Sequence, residues 1–311
     1  MTKTILITGA TGFLGSHITR ELHRNGYKVI ILKRSFSDIW HIRDIYSEIK
    51  SYDIDKIDLE LPFKENKIDC VIHTATSYGR KGERVSEIEE TNVTFPLKLL
   101  EIATFFNTDT FFNTDTFSNT DTFSNTDTIP YRYLNHYSLS KGQFIEWLSA
   151  FQDRIKIFNL KLEHMYGEAD AFSKFIPFVI KELLLKAKEI KLTKGEQKRD
   201  FIYVEDVVNV YKSILCQVDK FPKGFHEYEI GTGIATPIKD VALLLKTLTL
   251  NNETYLNFGA LPYRENEIME SKANLGKIKK DIGWEPKIFL EEGLKRTVTW
   301  YINNIGAINV Q

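Results

Sequence analysis

The sequence predicts an α/β protein in which a doubly wound parallel sheet is followed by a smaller α/β lobe. Two observations indicate this fold: short apolar segments without polar alternation, typical of strands covered on both faces, and amphipathic helical segments between them. The 311 residues, 42% hydrophobic and 27% charged, suffice for one large domain or two modest ones. We predict a first domain over residues 1–165, to which some later segments return, and a second lobe over residues 166–311.

The elements of the first domain follow one another in a strand–helix alternation. Leu14, Ile18 and Leu22 form the apolar stripe of a helix that stops at Asn25-Gly26. Because helices separate the strands, parallel pairing with right-handed crossovers is expected. The predicted strands are Thr4–Thr8, Lys28–Leu32, Asp69–Thr74 and Ile155–Leu160. Beyond about residue 165 the pattern loosens into helices, short strands and turns, and since no linker separates the halves we expect them to share a cleft.

Composition and charge exclude several classes of protein. With 41 basic and 42 acidic residues the net charge is −1, which argues against a nucleic-acid binder. No apolar run approaches the ~20 residues that cross a bilayer, and the first residues lack a signal-peptide pattern. Cys70 and Cys216 are too few and too far apart for a disulfide framework or a zinc site. We therefore expect a cytoplasmic protein with no metal and no membrane partner.

A glycine-rich turn lies between the first strand and the first helix. Its sequence is Gly9-Ala-Thr-Gly12-Phe-Leu-Gly15. Glycine at these points allows a tight turn and a close approach of backbone N–H groups to a pyrophosphate, and the helix N-terminus adds partial positive charge. A merely tight turn is the ordinary alternative, but the position after a strand and before an amphipathic helix favours a Rossmann-type dinucleotide site.

The residues after the second strand bear on the choice of dinucleotide. An acidic residue there would bind the ribose 2′-hydroxyl of NAD, whereas this chain has Lys33-Arg34-Ser35. A guanidinium and a hydroxyl suit a 2′-phosphate. The sequence therefore favours NADP(H), with NAD as the alternative if the basic pair is simply solvated.

A second motif places a tyrosine and a lysine on one helical face. Tyr137-Ser-Leu-Ser-Lys141 opens a helix, and the i, i+4 spacing brings the two side chains together. A nearby ammonium favours the phenolate and lowers the tyrosine pKa, so Tyr137 becomes usable as a general acid or base near neutral pH. Such a pair occurs often by chance, but here it follows a phosphate-binding loop on the same chain.

With these motifs the chain resembles the extended short-chain dehydrogenases/reductases of the NAD(P)-dependent nucleotide-sugar epimerase/dehydratase family, nearly end to end. The resemblance implies that the glycine turn holds the pyrophosphate, that Asp53-Ile54 flank the adenine, and that Asn92 steadies the active-site backbone. The full implied cofactor set is Gly9, Thr11, Gly12, Phe13, Leu14, Gly15, Arg34, Ser35, Asp53, Ile54, Thr74, Ala75, Thr76, Asn92, Tyr137 and Lys141.

The resemblance also implies a substrate-binding set in and near the second lobe. Lys161-Leu-Glu-His-Met-Tyr-Gly167 resembles a family segment that usually has asparagine where this chain has His164. Arg199, in a segment similar to the family's substrate-lobe signature, would bind the sugar-nucleotide diphosphate, and Arg264 would reach the same nucleotide. A surface ion pair with Glu265 or Glu267 is the ordinary alternative for Arg264. The implied substrate-binding residues are Tyr78, His164, Arg199 and Arg264.

Residues 105–128 are four copies of a six-residue unit: FFNTDT, FFNTDT, FSNTDT and FSNTDT. Four units are too few for a solenoid, and phenylalanine in every unit favours partial burial over disorder. Family members place a Ser or Thr at the end of the fifth strand to hydrogen-bond the reacting sugar oxygen, which here implies one of the Asn-Thr-Asp-Thr segments. Family dehydratases usually read Thr-Asp-Glu, so Thr-Asp-Thr in every copy favours a reaction other than dehydration.

Two distances in sequence give different answers for the copy in use. Counting 22 residues from Asn92 gives Thr114, whereas counting 11 residues back from Tyr137 gives Thr126. The answers differ by two repeat units, and because six is even, a slip by one unit leaves every side chain on the same face of the sheet. We prefer Thr126 as the catalytic threonine, because excess chain before the strand would emerge away from the substrate.

Within the family, the chain resembles carbon-4 reductases of CDP- or dTDP-linked 4-keto-6-deoxy or 3,6-dideoxy hexoses in surface polysaccharide (O-antigen) biosynthesis. The implied mechanism is hydride delivery from NADPH to carbon 4, with Tyr137 protonating the oxygen, Thr126 polarising it and Lys141 holding the ribose and tuning Tyr137. One alternative is an NAD-dependent nucleotide-sugar 4-epimerase or 4,6-dehydratase, and another is a non-catalytic NADP-binding scaffold. The family also suggests a homodimer.

Overall fold

The computed structural model describes residues 2–79, 82–116, 135–264 and 267–304. Within these ranges the chain forms two compact units. The first comprises the residues up to Lys161 together with Tyr211–Tyr228. The second comprises Leu162–Val210 and the described residues from Glu229 onward.

A seven-stranded sheet organises the first unit, with the order β3-β2-β1-β4-β5-β6-β10. The four pairings that run from β3 through β2, β1 and β4 to β5 are all parallel. The predicted doubly wound sheet is therefore confirmed, with strand ends shifted by one or two residues. The strands are β1 Thr4–Thr8, β2 Lys28–Lys33, β3 Lys50–Asp53, β4 Cys70–His73, β5 Thr110–Thr116, β6 Lys156–Leu162 and β10 Gly224–Ile230.

The described part of the second unit contains two smaller sheets. In one, β9 pairs with β7 in parallel and with β11 in antiparallel orientation, and in the other β8 pairs with β12 in parallel. Their bounds are β7 His164–Tyr166, β8 Glu189–Leu192, β9 Lys198–Tyr203, β11 Ala235–Pro237 and β12 Tyr255–Phe258.

The helices follow the predicted alternation. The helix after the glycine turn ends at Arg24, just before Asn25-Gly26, as its apolar stripe predicts. None of the helices in the described ranges combines the length and apolar character that a bilayer crossing requires. They are α1 Phe13–Arg24, α2 Leu61–Glu65, α3 Val85–Glu89, α4 Phe95–Phe105, α5 His136–Ala150, α6 Phe175–Leu184, α7 Val204–Leu215, α8 Ile238–Leu248, α9 Gly276–Ile282 and α10 Leu290–Asn303.

Apolar side chains from strands and helices together make the core of the first unit. Leu6, Ile30, Val71 and Phe111, one from each of four adjacent strands, pack in one cluster with Phe144 of α5. All five side chains are inaccessible to solvent. A slip of one residue would move these side chains to the other face of the sheet. Their burial, which contributes about 25 cal/mol per Å² of apolar surface, therefore fixes the register of the strands.

The sheet order reverses between β1 and β4, since β2 and β3 lie on one side of β1 and the later strands lie on the other. In open α/β sheets the crevice outside the carboxyl ends of the strands at such a switch point is where ligands bind. The loops that follow Thr8 and His73 meet at this point, and the predicted glycine turn is one of them.

Candidate active site

The glycine turn has no room for side chains at two of its positions. Gly9 has a φ of +71°, and a Cβ there would lie 2.6 Å from Oγ1 of Thr74 and 2.7 Å from the backbone nitrogen of Ala75. A Cβ on Gly15 would overlap the carbonyl of Gly9. The backbone N–H of Gly12 donates to that same carbonyl at 2.9 Å, which closes the turn directly before α1. The turn therefore fits a pyrophosphate held by backbone N–H groups, as the sequence predicts.

The remaining predicted residues of this turn continue into α1. Thr11 lies between two of the glycines, and Phe13 and Leu14 open the helix, with Leu14 buried. Gly12 occupies the N-cap position of the helix, which has no side-chain cap and no acidic residue in its first turn. An uncapped helix N-terminus with its partial positive charge aimed at the turn is the arrangement that binds phosphate.

Hydrogen bonds join the loops after β1 and β4. The hydroxyl of Thr74 donates to the carbonyl of Thr8 at 2.7 Å, and the hydroxyl of Thr8 contacts Nδ1 of His73 at 2.8 Å. Burial, reinforced by the charge of Lys141, lowers the pKa of His73 to about 3, so its imidazole is neutral at physiological pH. The predicted cofactor segment Thr74–Thr76 is thereby fixed against the end of β1.

Asn92 connects this segment to the helix that carries the tyrosine. It lies in a π-helical turn, Glu90–Thr94, and its amide donates to the carbonyl of Ser77 at 2.8 Å and to the hydroxyl of Ser140 at 3.0 Å. Its Oδ1 accepts from the backbone N–H of Ser77 at 2.8 Å and from the hydroxyl of Thr76 at 3.2 Å. Single π-helical turns occur frequently at functional sites, where they aim a side chain that a regular helix would not.

The Tyr137–Lys141 pair lies in the first turns of α5, which Asn135 caps by accepting from the backbone N–H of Ser138 at 3.0 Å. Lys141 is only 3% exposed, and its ammonium donates to the carbonyl of Thr114 in β5 at 2.7 Å. Burial lowers the pKa of Lys141, and the nearby carboxylate of Asp115 opposes that shift. The structure thus places the lysine at the carboxyl end of β5, one helical turn from the tyrosine.

Tyr78, predicted to contact substrate, lies beside the tyrosine of this pair. The ring centroids of Tyr78 and Tyr137 are 5.0 Å apart with an interplanar angle of 34°, and Tyr78 is partly exposed to solvent. Aromatic pairs at this separation attract each other by about 0.5–1.5 kcal/mol beyond the effect of their buried area. The structure therefore joins one predicted substrate residue to the predicted catalytic residue within the first unit.

The fifth strand is built from the second copy of the repeat. β5 contains Phe111 to Thr116, preceded by Thr110 of the first copy, and the hydroxyl of Thr114 shares a hydrogen bond of 2.6 Å with the hydroxyl of Tyr211. We expected the fourth copy at this strand end. Thr126 itself lies outside the described residues, and the copy in β5 is the one reached by counting from Asn92.

At the edge formed by β2 and β3, two of the four predicted residues, Asp53 and Ser35, have charged partners. Lys33 pairs with Asp53 at 2.5 Å; burial lowers the pKa of Lys33, but the interactions with Asp53 and Tyr46 together raise it above its ordinary value. Arg34 is exposed and its guanidinium lies over the ring of Phe36, 4.9 Å from the centroid. The predicted adenine neighbour Ile54 packs against the core cluster.

Ser35, predicted to face the 2′-phosphate, is bound to a carboxylate instead. Its backbone N–H and its hydroxyl donate to Asp55 at 2.6 and 2.5 Å. The hydroxyl bond is the main cause that lowers the pKa of Asp55, so that side chain is an anion at neutral pH. The sequence interpretation overlooked Asp55, whose signal is its position two residues after Asp53.

The second unit contains the other predicted substrate residues. The buried guanidinium of Arg199 pairs with Glu267 at 2.5 Å and donates to the carbonyl of Lys198 at 2.8 Å. Burial lowers the pKa of Arg199, and Glu267 and Glu163 oppose that shift. Arg264 is exposed; the carboxylate of Glu267 binds Arg199, and the backbone N–H of Glu267 donates to the carbonyl of Arg264 at 3.1 Å.

His164 begins β7 and remains about half exposed, with Nδ1 3.3 Å from the buried carboxylate of Glu163. Glu163 also accepts from the hydroxyl of Ser271 at 2.6 Å. Neither Glu163 nor Ser271 was predicted, because their only signal in the sequence is that Glu163 precedes His164. The hydrogen bond between Ser271 and Glu163 fixes the start of the segment in which His164 replaces the family's asparagine.

A glycine turn at the sheet's switch point, together with a helix that presents tyrosine and a buried lysine four residues apart, defines a dinucleotide-dependent oxidoreductase of the short-chain dehydrogenase/reductase class. The model of the NAD dependent epimerase/dehydratase family matches residues 5–231. The chain belongs to this family, and it is an NAD(P)-dependent enzyme that acts on nucleotide sugars.

Two similar proteins are CDP-abequose synthases. The one from Salmonella muenchen is 35% identical over 300 residues, covering 96% of this chain and 97% of the relative. The one from Salmonella typhimurium is 36% identical over 299 residues, covering 94% and 96%. Among solved structures, a UDP-glucose 4-epimerase from Thermotoga maritima superposes with a TM-score of 0.83 at 24% identity, covering 97% of this chain and 99% of the other. That last similarity concerns the fold alone.

Proposed function

We propose that this enzyme uses NADPH to reduce the carbon-4 ketone of a CDP- or dTDP-linked 4-keto-6-deoxy or 3,6-dideoxy hexose for surface polysaccharide synthesis. The similarity to two CDP-abequose synthases, at 35% and 36% identity, supports the substrate class. The structural observation that carries the proposal is the buried Lys141 ammonium at the end of β5, one helical turn from Tyr137. Cys70 and Cys216 are free thiols, which suits a cytoplasmic location.

A bound nicotinamide would supply the hydride that reaches carbon 4. The hydroxyl of Tyr137 donates its proton to the developing alkoxide, that proton leaves with the product alcohol, and solvent supplies a new proton to the phenolate. Lys141 stabilises the phenolate by its positive charge and is held in place by the carbonyl of Thr114. Gly9, Gly12 and Gly15 would hold the pyrophosphate, as the absence of room for a Cβ at Gly9 and Gly15 supports.

The experiment that tests this function is incubation of the purified enzyme with NADPH and a panel of CDP-, dTDP-, GDP- and UDP-linked 4-keto sugars, with the products identified by NMR. We expect NADPH oxidation and a carbon-4 alcohol with CDP- or dTDP-linked substrates. Turnover of none of the four, or product formed without NADPH oxidation, would count against the proposal. A wild type that binds NADPH but turns over no substrate would instead support a non-catalytic scaffold, and a Tyr137→Phe variant with unchanged turnover would refute the role of Tyr137.

The threonine that polarises the ketone, here called the polarising threonine, is Thr114 in our proposal, with Thr126 as the competing outcome. Thr114 lies in β5, and its carbonyl accepts from Lys141, whereas Thr126 lies outside the described residues. Separate Thr→Val changes at each of the four copies discriminate between them. Losing one donor at an oxyanion costs about 100-fold or more in kcat. We expect that loss at one copy only; the four variants alter Thr108, Thr114, Thr120 and Thr126.

The preference for NADPH rests on Arg34, whose exposed guanidinium is available to a 2′-phosphate. The anionic Asp55 beside Ser35 favours the ribose hydroxyl of NAD, so Arg34 favours NADPH whereas Asp55 favours NADH. We expect Arg34→Ala to lower kcat/KM for NADPH about tenfold to hundredfold and to leave kcat/KM for NADH unchanged. Asp55→Asn should raise kcat/KM for NADPH. The exposed Arg43→Ala is the matched control, and equal effects of Arg34→Ala on both dinucleotides would refute the assignment.

A 4-epimerase or 4,6-dehydratase that retains NAD is the second candidate. The observation that favours it is Asp115, which follows Thr114 in β5 as an aspartate follows threonine in the family's dehydratases. Thr116 stands where those dehydratases have glutamate, which weakens the dehydratase version. Protein that purifies with one NAD per chain, and that turns over without added NADPH, would favour this candidate over reduction.

We also propose a homodimer formed through the face of α3, the π-helical turn and α5. A groove of about 510 Å³ lies there, lined by Glu89, Val93, Gln143, Glu146, Trp147 and Ala150. The side chain of Trp147 is 48% exposed at this groove, and tryptophan is among the residue types most enriched at the centres of protein interfaces. Light scattering after size-exclusion chromatography should give twice the mass of 36.1 kDa, and Trp147→Arg should give the monomer.

A further inference from the structure

Two identical six-residue units have different conformations in this chain. The first copy, residues 105–110, ends α4: Asn107 has a φ of +57°, and the backbone N–H groups of Thr108 and Asn107 donate to Ala103 and Thr104 at 2.8 and 3.2 Å. This is a Schellman motif with asparagine at its left-handed position. The second copy is extended in β5. The sequence of the unit therefore does not decide between the first and the second copy.

In the second copy, every side chain from Phe111 to Asp115 has a specific environment. The ring centroids of Phe111 and Phe144 are 6.4 Å apart, and the amide of Asn113 donates to Oδ1 of Asn159 at 2.7 Å. The negative charge of Asp115 opposes the effect of burial on the pKa of Lys141. All four copies provide phenylalanine, asparagine, threonine and aspartate at these positions. These residues build the site but do not select the copy.

Only the second position of the unit differs among copies. It is occupied by Phe106, Phe112, Ser118 and Ser124 in turn. Phe112 is fully buried on the other face of the sheet from Phe111. Its ring centroid lies 5.1 Å from that of Phe158 in β6, with an interplanar angle of 21°, and 5.6 Å from that of Tyr211 in α7. A serine placed there would leave a cavity between two aromatic rings and bury a hydroxyl.

The first copy also carries two phenylalanines, but its residues are already used by α4. Moving it into the strand would require residues upstream of Phe105 to make the turn, and therefore the loss of the last turns of α4. Leu99, Leu100 and Ala103 on those turns are inaccessible to solvent. The register is thus limited on the upstream side by the helix and on the downstream side by the serines.

We propose that Phe112 is a register-determining residue that fixes the second copy as the active-site strand. Its burial between Phe158 and Tyr211 keeps Thr114 and Asp115 at the Lys141 end of β5, although the same chemistry is encoded four times. The activity readout of this inference rests on the proposed function, whereas its stability readout does not. Phe112 is a positioning residue, since it touches neither substrate nor cofactor.

The test moves the phenylalanine pair to the third copy. Phe112→Ser should lower Tm by about 10 °C, and adding Ser118→Phe in the double variant should restore most of that loss. In the double variant, Thr120→Val should lower kcat by about 100-fold and Thr114→Val should have little effect. In the natural sequence we expect the opposite, with Thr114→Val as the damaging change. Ser118→Phe alone is the control and should leave Thr114 as the sensitive position.

Each outcome is decisive for one of the two claims. If the double variant is no more stable than Phe112→Ser, or if Phe112→Ser leaves Tm unchanged, the register proposal is overturned. If Tm is restored but turnover is insensitive to Thr→Val at every copy, the register proposal holds and the polarising role of threonine is wrong. If sensitivity stays at Thr114 in the stable double variant, the strand has not moved and the register proposal fails.

Discussion

Removal of the Asn92 side chain is expected to destabilise the connection between the loop after β4 and the catalytic helix. Asn92 makes four hydrogen bonds, two to the backbone of Ser77 and one each to Thr76 and Ser140. A net hydrogen bond contributes about 1 kcal/mol, and a buried backbone group left without a partner adds to the cost. For Asn92→Ala we therefore expect a loss of about 3–4 kcal/mol in the free energy of unfolding.

The assay is denaturant unfolding of the wild type and the variant, together with kcat/KM for the dinucleotide. The variant should also lose at least about tenfold in kcat/KM, because Asn92 positions α5 relative to the segment Thr74–Ser77. The exposed Asn252→Ala is the matched control and should change stability by no more than about 0.5 kcal/mol. An Asn92→Ala variant as stable as this control would refute the reasoning from the four bonds.

Three further predictions concern the same site. Gly15→Ala should weaken dinucleotide binding about 100-fold in a fluorescence titration, because its Cβ would overlap the carbonyl of Gly9 and displace the turn; unchanged affinity would contradict this. The pKa of His73 is about 3 in the folded protein and 6.5 in the unfolded chain, so as the pH falls the imidazole of the unfolded chain is protonated first. The free energy of unfolding should therefore fall by about 2–3 kcal/mol from pH 6.5 to 4.5. His73→Asn should remove that slope and the control His226→Asn should keep it. Lys141→Met should reduce kcat by more than about 100-fold and should also lower Tm, because it takes the ammonium away from the Thr114 carbonyl and the buried Asp115; an unchanged kcat would contradict the assigned role.

The fold of the first unit could be predicted because its signals are local. Thr4–Thr8 is an unbroken apolar run with every side chain buried, and the stripe of Leu14, Ile18 and Leu22 gives α1 within two residues of its ends. The glycine turn between them is recognisable from its position after a strand and before an amphipathic helix. Such features need no knowledge of the rest of the chain.

The choice among the repeat copies could not be made locally. The two distances in sequence gave Thr114 and Thr126, and the preference for Thr126 rested on where excess chain would emerge, so neither argument used a residue that distinguishes the copies. The residue that does distinguish the second copy, Phe112, packs against Tyr211, which is 99 positions further along the chain. Only the assembled first unit brings these two rings together.

The charged partners of the predicted residues could not be predicted from the sequence either. Asp55 reaches Ser35 across adjacent strands, and Glu267 reaches Arg199 over 68 residues. A motif identifies a basic or hydroxyl group, but not the carboxylate that the fold places beside it. The cofactor preference and the diphosphate contact therefore depend on pairs that sequence motifs do not contain.

The most direct measurement of the central claim is deuterium transfer from carbon-4-labelled NADPH to a CDP-linked 4-keto-6-deoxy or 3,6-dideoxy hexose. The enzyme should place deuterium from one face of the nicotinamide on carbon 4 of the sugar, with one NADP⁺ formed per alcohol, and Tyr137→Phe should abolish the transfer. Product without label at carbon 4, or full transfer by Tyr137→Phe, would contradict reduction by a tyrosine-assisted hydride transfer.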